Sequence, residues 1–242
     1  MKILSWNILA NEFITQKYYP MIPAKLLFNQ PQRQERIIET LKQADADIML
    51  LQEVMQPEYN RLVDEFDKTY YLIKGNYIQW KNAPSYSGNV ILLRKSMFAG
   101  PREPLDLTYG LAIQVHLKQS DLSLFILNLH LDDQDQQTRL QQLKESENLL
   151  LNHKHIILGG DLNEHYTKKA QLYTALQAYY FTLFNEEPTY YINSALSLDH
   201  ILLKGFETHR KTCKVLNRFQ NNVVAQFTHY GSDHLPVLLT VT

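Results

Sequence analysis

Six times along this chain a short apolar run meets a cluster of residues able to ligate a metal ion or move a proton. The run Lys2–Leu9 carries Asn7. Ile48–Leu51 leads into Gln52 and Glu53, and Leu122–Leu127 leads into Asn128, Leu129 and His130. Ile156–Leu158 runs into Gly160-Asp161-Leu162-Asn163. Leu198–Leu203 opens with Asp199-His200, and Leu235–Val241 is preceded by Ser232-Asp233-His234. Strand ends of stacked sheets converge on one mouth, so residues far apart in sequence can share a site. No single member demands this. Glu53 alone reads as a solvated loop residue and His130 as a satisfied core histidine. Asp161, two before Asn163, reads as an Asx turn. The inference rests on the clusters taken together. His116, His153, His155, His165, His209 and His229 read as ordinary surface or structural residues.

Helical patterns separate these runs. From Gln32, the positions Ile37, Ile38, Leu41 and Ala44 recur at helical spacing, with Arg33, Arg36, Glu39 and Lys42 on the wet side. Pro57 opens a second helix that reaches Phe66. A long helix is predicted over Gln136–Asn152, with Leu140, Leu143, Leu150 and Leu151 as its buried stripe, and another over Lys168–Ala178. Leu111–Val115 and Leu122–Leu127, joined by a polar turn at Lys118–Asp121, form an antiparallel hairpin and exclude a purely parallel sheet. The pattern predicts an α/β sandwich: two sheets face to face with helices outside. No Gly/Ser/Pro linker divides the 242 residues, so one domain over 1–242 is expected.

Composition narrows the partners. Lys+Arg number 24 against 25 Asp+Glu, a net charge of −1. That excludes a strongly basic nucleic-acid coat, and any nucleic-acid contact has to come from a local basic patch. One cysteine, Cys213, permits no internal disulfide and favours a reducing compartment. No secretory signal and no run near the ~20 apolar residues of a membrane span is visible, so a cytoplasmic monomer is expected.

The residue types select a chemistry. Asn, Asp and Glu oxygens are hard ligands that favour Mg²⁺ or Mn²⁺. No thiolate cluster or His-x-x-x-His spacing points to zinc. No P-loop and no Gly-x-Ser-x-Gly elbow is present. Hard-metal phosphoester hydrolysis by an activated water suits what remains.

The motifs Ser5-Trp6-Asn7-Ile8-Leu9, Leu51-Gln52-Glu53-Val54, Gly88-Asn89-Val90-Ile91-Leu92, Asn128-Leu129-His130-Leu131, Gly160-Asp161-Leu162-Asn163, Leu198-Asp199-His200-Ile201 and Gly231–Val237 run in one order over essentially the whole chain. Together they resemble the endonuclease/exonuclease/phosphatase superfamily, the metal-dependent phosphoesterases related to deoxyribonuclease I. The Tyr18-Tyr19-Pro20 insert, Arg33, Ala46-Asp47-Ile48 and Arg139 with Gln142 are similar to the deadenylase and nocturnin branch. That branch usually has Trp where Gln30 stands and Asp-Tyr where Asp199-His200 stands.

The resemblance implies a four-layered α/β sandwich of two mixed, mostly antiparallel sheets. It implies a Mg²⁺- or Mn²⁺-dependent phosphodiesterase, a nuclease of exonuclease or endonuclease type or a phosphatase. Glu53 is then the main metal ligand, with Asn7 and Asp233 beside it. Asp161 orients the attacking water, either Asp161 or His234 is the general base, Asn163 holds water or a phosphate oxygen, Asp199 polarises His234, and His130 donates to phosphate. Arg139, with Gln142, braces the site or touches phosphate, or belongs to a salt-linked helix face. Ser232 reads as a local turn.

Aromatics with nearby cations hold single strands, and the loop Lys74–Ser87 offers Tyr77, Trp80 and Tyr86 beside Lys74 and Lys81. Its alternative is a hairpin loop with a partly packed Trp. Balanced charge argues against tight duplex binding. The expected substrate is nucleic acid, single-stranded RNA foremost, or a phosphorylated small molecule such as a nucleotide, inositol phosphate or lipid head group. A binding module without catalysis is the other class considered.

Overall fold

The computed structural model describes residues 1–78, 86–167, 170–179, 181–183, 185–192, 194–218 and 222–242. Trp80 and Lys81 lie outside the described residues. The strands are β1 (Lys2–Asn7), β2 (Ile48–Met55), β3 (Tyr70–Ile78), β4 (Ser87–Arg94), β5 (Leu105–Leu107), β6 (Gly110–His116), β7 (Ser123–His130), β8 (Ile156–Asp161), β9 (Thr182–Leu183), β10 (Asp199–Lys204), β11 (Lys211–Val215) and β12 (Val237–Val241). The helices are α1 (Ala24–Leu27), α2 (Gln30–Ala44), α3 (Gln56–Phe66), α4 (Gln136–Glu145), α5 (Glu147–Asn152), α6 (Gln171–Ala178) and α7 (Val223–Tyr230).

Two six-stranded sheets result, in the orders β11-β12-β1-β2-β4-β3 and β5-β6-β7-β8-β10-β9. Only β1–β2 and β7–β8 pair in parallel among the described residues. The sheets pack face to face through a core of Ile3, Leu50, Ile91, Ile113, Ile126 and Ile201, among others. The run Ile48–Leu51 is fully buried because it is covered on both faces, by the second sheet and by helices. The outer face of the second sheet packs Leu127 and Leu158 against Leu143, Leu150, Leu172 and Leu176 of α4–α6. This is the expected four-layered sandwich.

The structure corrects several details. β1 stops at Asn7, and Ile8 and Leu9 belong to the following loop, where Leu9 turns the chain at φ 61°. The long helix divides at Ser146, whose N–H closes a tightened turn on Leu143 and rotates the next helical segment. Leu143 and Leu150 are therefore buried, Leu140 is half-buried, and Leu151 is 57 % exposed. Arg33, expected on the wet side, is fully buried. α2 starts at Gln30, where Asn29 caps it by accepting from the Gln32 N–H and Pro31 fills its first turn. The sequence pattern does not announce α1, β5, β9, β11 or α7, and β5, β9 and β11 are edge strands. These three strands are short, with little apolar alternation.

Candidate active site

Sheet register does most of the assembly. β7, β8 and β10 are neighbours, and His130 pairs with Asp161, which pairs with Asp199. Three chemical residues from three strands thus stand side by side at one end of the second sheet. Gly160 makes this possible. Its φ is +151°, and a Cβ there would fall 1.8 Å from the Leu129 carbonyl oxygen, so only glycine lets β8 pass β7 this closely. The first sheet supplies Asn7 at the end of β1 and Glu53 from β2. Glu53 has φ 58°, within a shift of register between Leu51 and Val54 against β4. A bulge of this kind re-aims one side chain out of the strand alternation.

The side chains meet through Asn7. Its Nδ2 donates to Glu53 Oε1 at 2.8 Å and to Asp161 Oδ2 at 3.0 Å, while its Oδ1 accepts from the Leu9 N–H. The Ala10 N–H donates to Glu53 Oε2 at 2.7 Å. His130 Nε2 stands 3.9 Å from Glu53 Oε1 and 3.8 Å from Asp161 Oδ2. His234 Nδ1 is 2.8 Å from Asp199 Oδ2, and its Nε2 is 3.6 Å from Asp161 Oδ2. All six are buried.

Their protonation reflects these partners. Burial pushes the Glu53 carboxyl up to about 7, with the Asp233 charge adding to it and the Asn7 and Ala10 bonds opposing. Burial also raises Asp161, against the pull of His234. Burial lowers His130. Burial opposes charge on His234 too, but Asp199, Asp161 and Asp233 outweigh it and hold its pKa well above the ordinary value. Two oxygens, Asp199 Oδ1 and Asp233 Oδ1, are buried without a hydrogen-bond partner among the described residues. Donor atoms of Asp161, Asp199 and His234 lie within 4.8 Å of one another. Asp233, whose Oδ1 has no hydrogen-bond partner among the described residues and whose charge raises the Glu53 carboxyl, forms with Glu53 a pair of hard carboxylates that fits a divalent cation.

The remaining expected residues are placed differently. Asp233 is next to His234, and its Oδ2 accepts from the Tyr19 hydroxyl at 2.9 Å. The Asn163 N–H donates to Asp161 Oδ1, and its side chain donates to the Leu131 carbonyl. Arg139 does not join the cluster. Its Nε donates to Glu164 Oε2 at 3.0 Å, in the loop after β8, and its Nη1 to the Asp132 carbonyl. Gln142 accepts from the Asp132 N–H. Tyr77 has Lys74 Nζ 4.0 Å above its ring, and its hydroxyl is buried with Tyr59 and Glu58 of α3 as the charges that act on it. Ser232 is more than a turn residue, because its Oγ donates to the Asn7 carbonyl and accepts from the His234 N–H.

Sequence reasoning missed the supports. Arg33 donates from Nη1 to the carbonyls of Ile8, Leu9 and Gly231, and pairs with Glu58 at 3.4 Å. It ties the loop after β1 to the turn after α7, and both carry site residues. A Cβ at Gly231 would meet Arg33 Cγ at 2.7 Å. Gln52 points between the sheets, where it donates to Asn128 Oδ1, and Asn128 donates onward to the Leu51 and Val90 carbonyls. Tyr190 lies with its ring centroid 5.2 Å from that of His234. The helical period assigned Arg33 to the solvent face. Its identity as an arginine near the Tyr/Pro-rich insert was the one available signal.

Comparison with known proteins agrees with this geometry. The chain belongs to the Endonuclease/Exonuclease/phosphatase family, whose sequence pattern matches residues 4–234. Members of that family are hydrolases of phosphoester bonds and are generally divalent-metal dependent. No curated protein matches the chain by sequence. Among solved structures, it is similar to ANGEL2, a 2′,3′-cyclic phosphatase in complex with adenosine-2′,3′-vanadate, at 16 % identity and TM-score 0.77, covering 98 % of this chain and 94 % of that one. The human Nocturnin catalytic domain with bound sulfate aligns at 17 % identity and TM-score 0.70, over 100 % and 94 %. D. rerio TDP2 with a single-strand DNA product aligns at 17 % identity and TM-score 0.67, over 100 % and 98 %. No helix among the described residues is long and apolar enough to cross a membrane.

Proposed function

We propose that this chain is a divalent-metal-dependent phosphodiesterase that hydrolyses nucleic acid, with single-stranded RNA as its foremost substrate. The observation that carries the reading is Asp161. It is a buried carboxylate fixed by Asn7 and by the Asn163 N–H, with His130 and His234 both within 4 Å. Glu53 and Asp233 would hold the cation, with Asn7 orienting the carboxylates. When bound, the cation supplies Lewis-acid stabilisation of phosphoryl charge.

Asp161 accepts the proton of the attacking water. His234, held as imidazolium by Asp199, and His130 line the side on which phosphoryl charge grows and donate to it. The nucleic-acid half of the reading is supported by what two similar structures hold, adenosine-2′,3′-vanadate and a single-strand DNA product. The phosphatase named in the first of them also favours a second reading, a small nucleotide as substrate.

A substrate panel separates the two. Poly(A) RNA, mixed single strands, nicked duplex DNA, NADPH and inositol phosphates are tested with Mg²⁺, with Mn²⁺ and with chelator. Turnover of single-stranded RNA that stops in chelator is expected. Full turnover in excess chelator overturns the metal assignment, and turnover of NADPH or inositol phosphates alone overturns the nucleic-acid one. Asp161→Asn should lower kcat ~10²–10⁴-fold, as loss of a general base does. Substrate affinity and melting temperature should be kept. An early-melting variant would make Asp161 structural.

A further inference from the structure

On the outer face of the first sheet, α2, α7 and the β11–β12 edge enclose a recess of about 110 Å³. Lys214, Arg218 and His229 line it, with the Thr40 hydroxyl and the Gln43 amide as further hydrogen-bonding groups. Among the described residues, no aspartate or glutamate lines it. In a chain with 24 basic and 25 acidic side chains, a recess lined on one side of the charge balance is a local departure. The groups act on one another. Burial first, then the charges of Arg218 and Arg36, hold the His229 imidazole below its ordinary value, and only Glu39 works against them. Glu39, which also acts on Arg36, does not line the recess, so an anion seated in it meets Lys214 and Arg218 with no carboxylate on its walls among the described residues.

A chain of contacts links the recess to the catalytic turn. Its wall is Tyr230, whose ring packs edge-on against Trp6 with centroids 6.2 Å apart. Trp6 Nε1 donates to the His234 carbonyl at 3.0 Å. Two side chains therefore separate the basic recess from the backbone of His234.

We propose that this recess is a phosphate-binding subsite that engages the backbone of a single-stranded nucleic acid whose scissile bond lies at the Asp161–His234 cluster. The inference rests on the nucleic-acid reading above and extends it. Lys214 and Arg218 contact phosphate oxygens, and Thr40 and Gln43 complete the hydrogen bonding. Such contacts strengthen binding of a long strand and leave the chemical step alone.

The test compares wild type with Lys214→Glu/Arg218→Glu and with the conservative Lys214→Arg/Arg218→Lys pair. Substrates are a long single-stranded RNA and a dinucleotide. The charge-reversed pair should raise KM for the long strand about tenfold or more. It should flatten the slope of log affinity against log salt by about 1.4, the ~0.7 per single-strand phosphate contact taken twice. Dinucleotide turnover and melting temperature should be unchanged, and the conservative pair should restore KM. An unchanged KM for the long strand, or equal losses on both substrates, overturns the subsite.

Inorganic phosphate separates this proposal from the function it rests on. If wild type turns over no nucleic acid, that reading fails. The recess is then judged by whether phosphate saturably shifts the His229 ring resonances in wild type and not in the charge-reversed pair. A shift keeps an anion site with free phosphate or a small phosphate ester as its ligand. No shift removes it.

Discussion

Two equally buried histidines are both neighbours of Asp199, and their fates are opposite. His200 is next to it in β10. His234 reaches it across space from the turn before β12, Nδ1 to Oδ2 at 2.8 Å. Successive side chains of a strand point to opposite faces. Asp199 thus faces the cluster, and His200 faces α6, where its Nε2 meets the Tyr173 hydroxyl at 2.7 Å and its ring faces the Ser197 and Asn185 carbonyls. With only neutral partners, burial lowers His200 to about 4. With three carboxylates near it, His234 is raised well above the ordinary value despite the same burial. Partners, not depth, decide whether a buried imidazole carries charge. The departure of this chain from the Asp-Tyr pair usual in the similar branch falls on the structural face of β10.

The contrast breaks most sharply at Asp199. Asp199→Asn keeps the shape of the side chain and removes the charge that holds His234 protonated. We expect kcat to fall ~10²–10⁴-fold, the range of an acid–base or orienting group. In NMR titrations the His234 ring should move down toward the ordinary histidine value, while His200 should stay neutral at pH 7. Near-normal kcat would remove the pair from the chemistry. The linkage signs also oppose. The raised His234 contributes stability that is full below about 6.5 and is lost as pH rises through its folded value. The lowered His200 acts in reverse, and its cost appears as pH falls from about 6.5 toward about 4.

Glu53 sharpens the same comparison on the carboxylate side. Its folded value of about 7 lies above the ordinary 4.5, so the folded protein binds the extra proton between those limits. In chelator, stability should therefore fall as pH rises from about 4.5 to about 7, by on the order of 3 kcal/mol from this group. Asp161 and His234 add slope of the same sign. Glu53→Gln should flatten part of this fall, and Mg²⁺ should stabilise wild type most at high pH. Melting curves across pH, with and without metal, check both. A metal-free protein that gains stability from pH 4.5 to 7 would contradict the raised carboxyl.

Arg33 gives a smaller effect through structure. Arg33→Met fills similar volume but leaves the Ile8, Leu9 and Gly231 carbonyls without this donor and Glu58, which keeps its bonds from Asn11 and Gln34, without its cation. Breaking such a buried pair costs roughly 3–5 kcal/mol. Activity should fall with it because the loop after β1 positions Asn7. Melting temperature and kcat should drop together, and a loss of kcat alone would place Arg33 against substrate.

How legible the molecule is from its sequence differs between strands and supports. Apolar runs such as Ile48–Leu51 and Ile156–Leu158 identify buried strands because burial on both faces leaves no polar gaps. The polar residues that end them point to the candidate site because sheet register brings His130, Asp161 and Asp199 level. What escaped detection depends on tertiary geometry. The burial of Arg33, the clip from Tyr19 to Asp233 and the inward turn of Gln52 are set by packing between segments distant in sequence. Periodicity sees only one segment at a time. Arg139 illustrates the same limit from the other side, because its place outside the cluster goes with its bond to Glu164, which lies in the loop after β8.

The smallest expected effect closes the comparison at His200. His200→Phe retains a planar ring in the α6-facing space and removes both ring nitrogens. The Tyr173 hydroxyl keeps its bond to the Glu164 carbonyl, and the Ser197 and Asn185 carbonyls lose the ring. Leaving buried polar groups short costs about 1–3 kcal/mol, so the variant should melt earlier at pH 7. That deficit should shrink as pH falls from about 6.5 toward 4, because wild type then bears the cost of a histidine that resists protonation and the variant does not. At pH 7, kcat and KM should match wild type, since the side chain faces away from Asp161 and His234. A folded variant with kcat reduced as far as in Asp199→Asn would show that both faces of β10 serve the reaction, and the division between the two histidines would not hold.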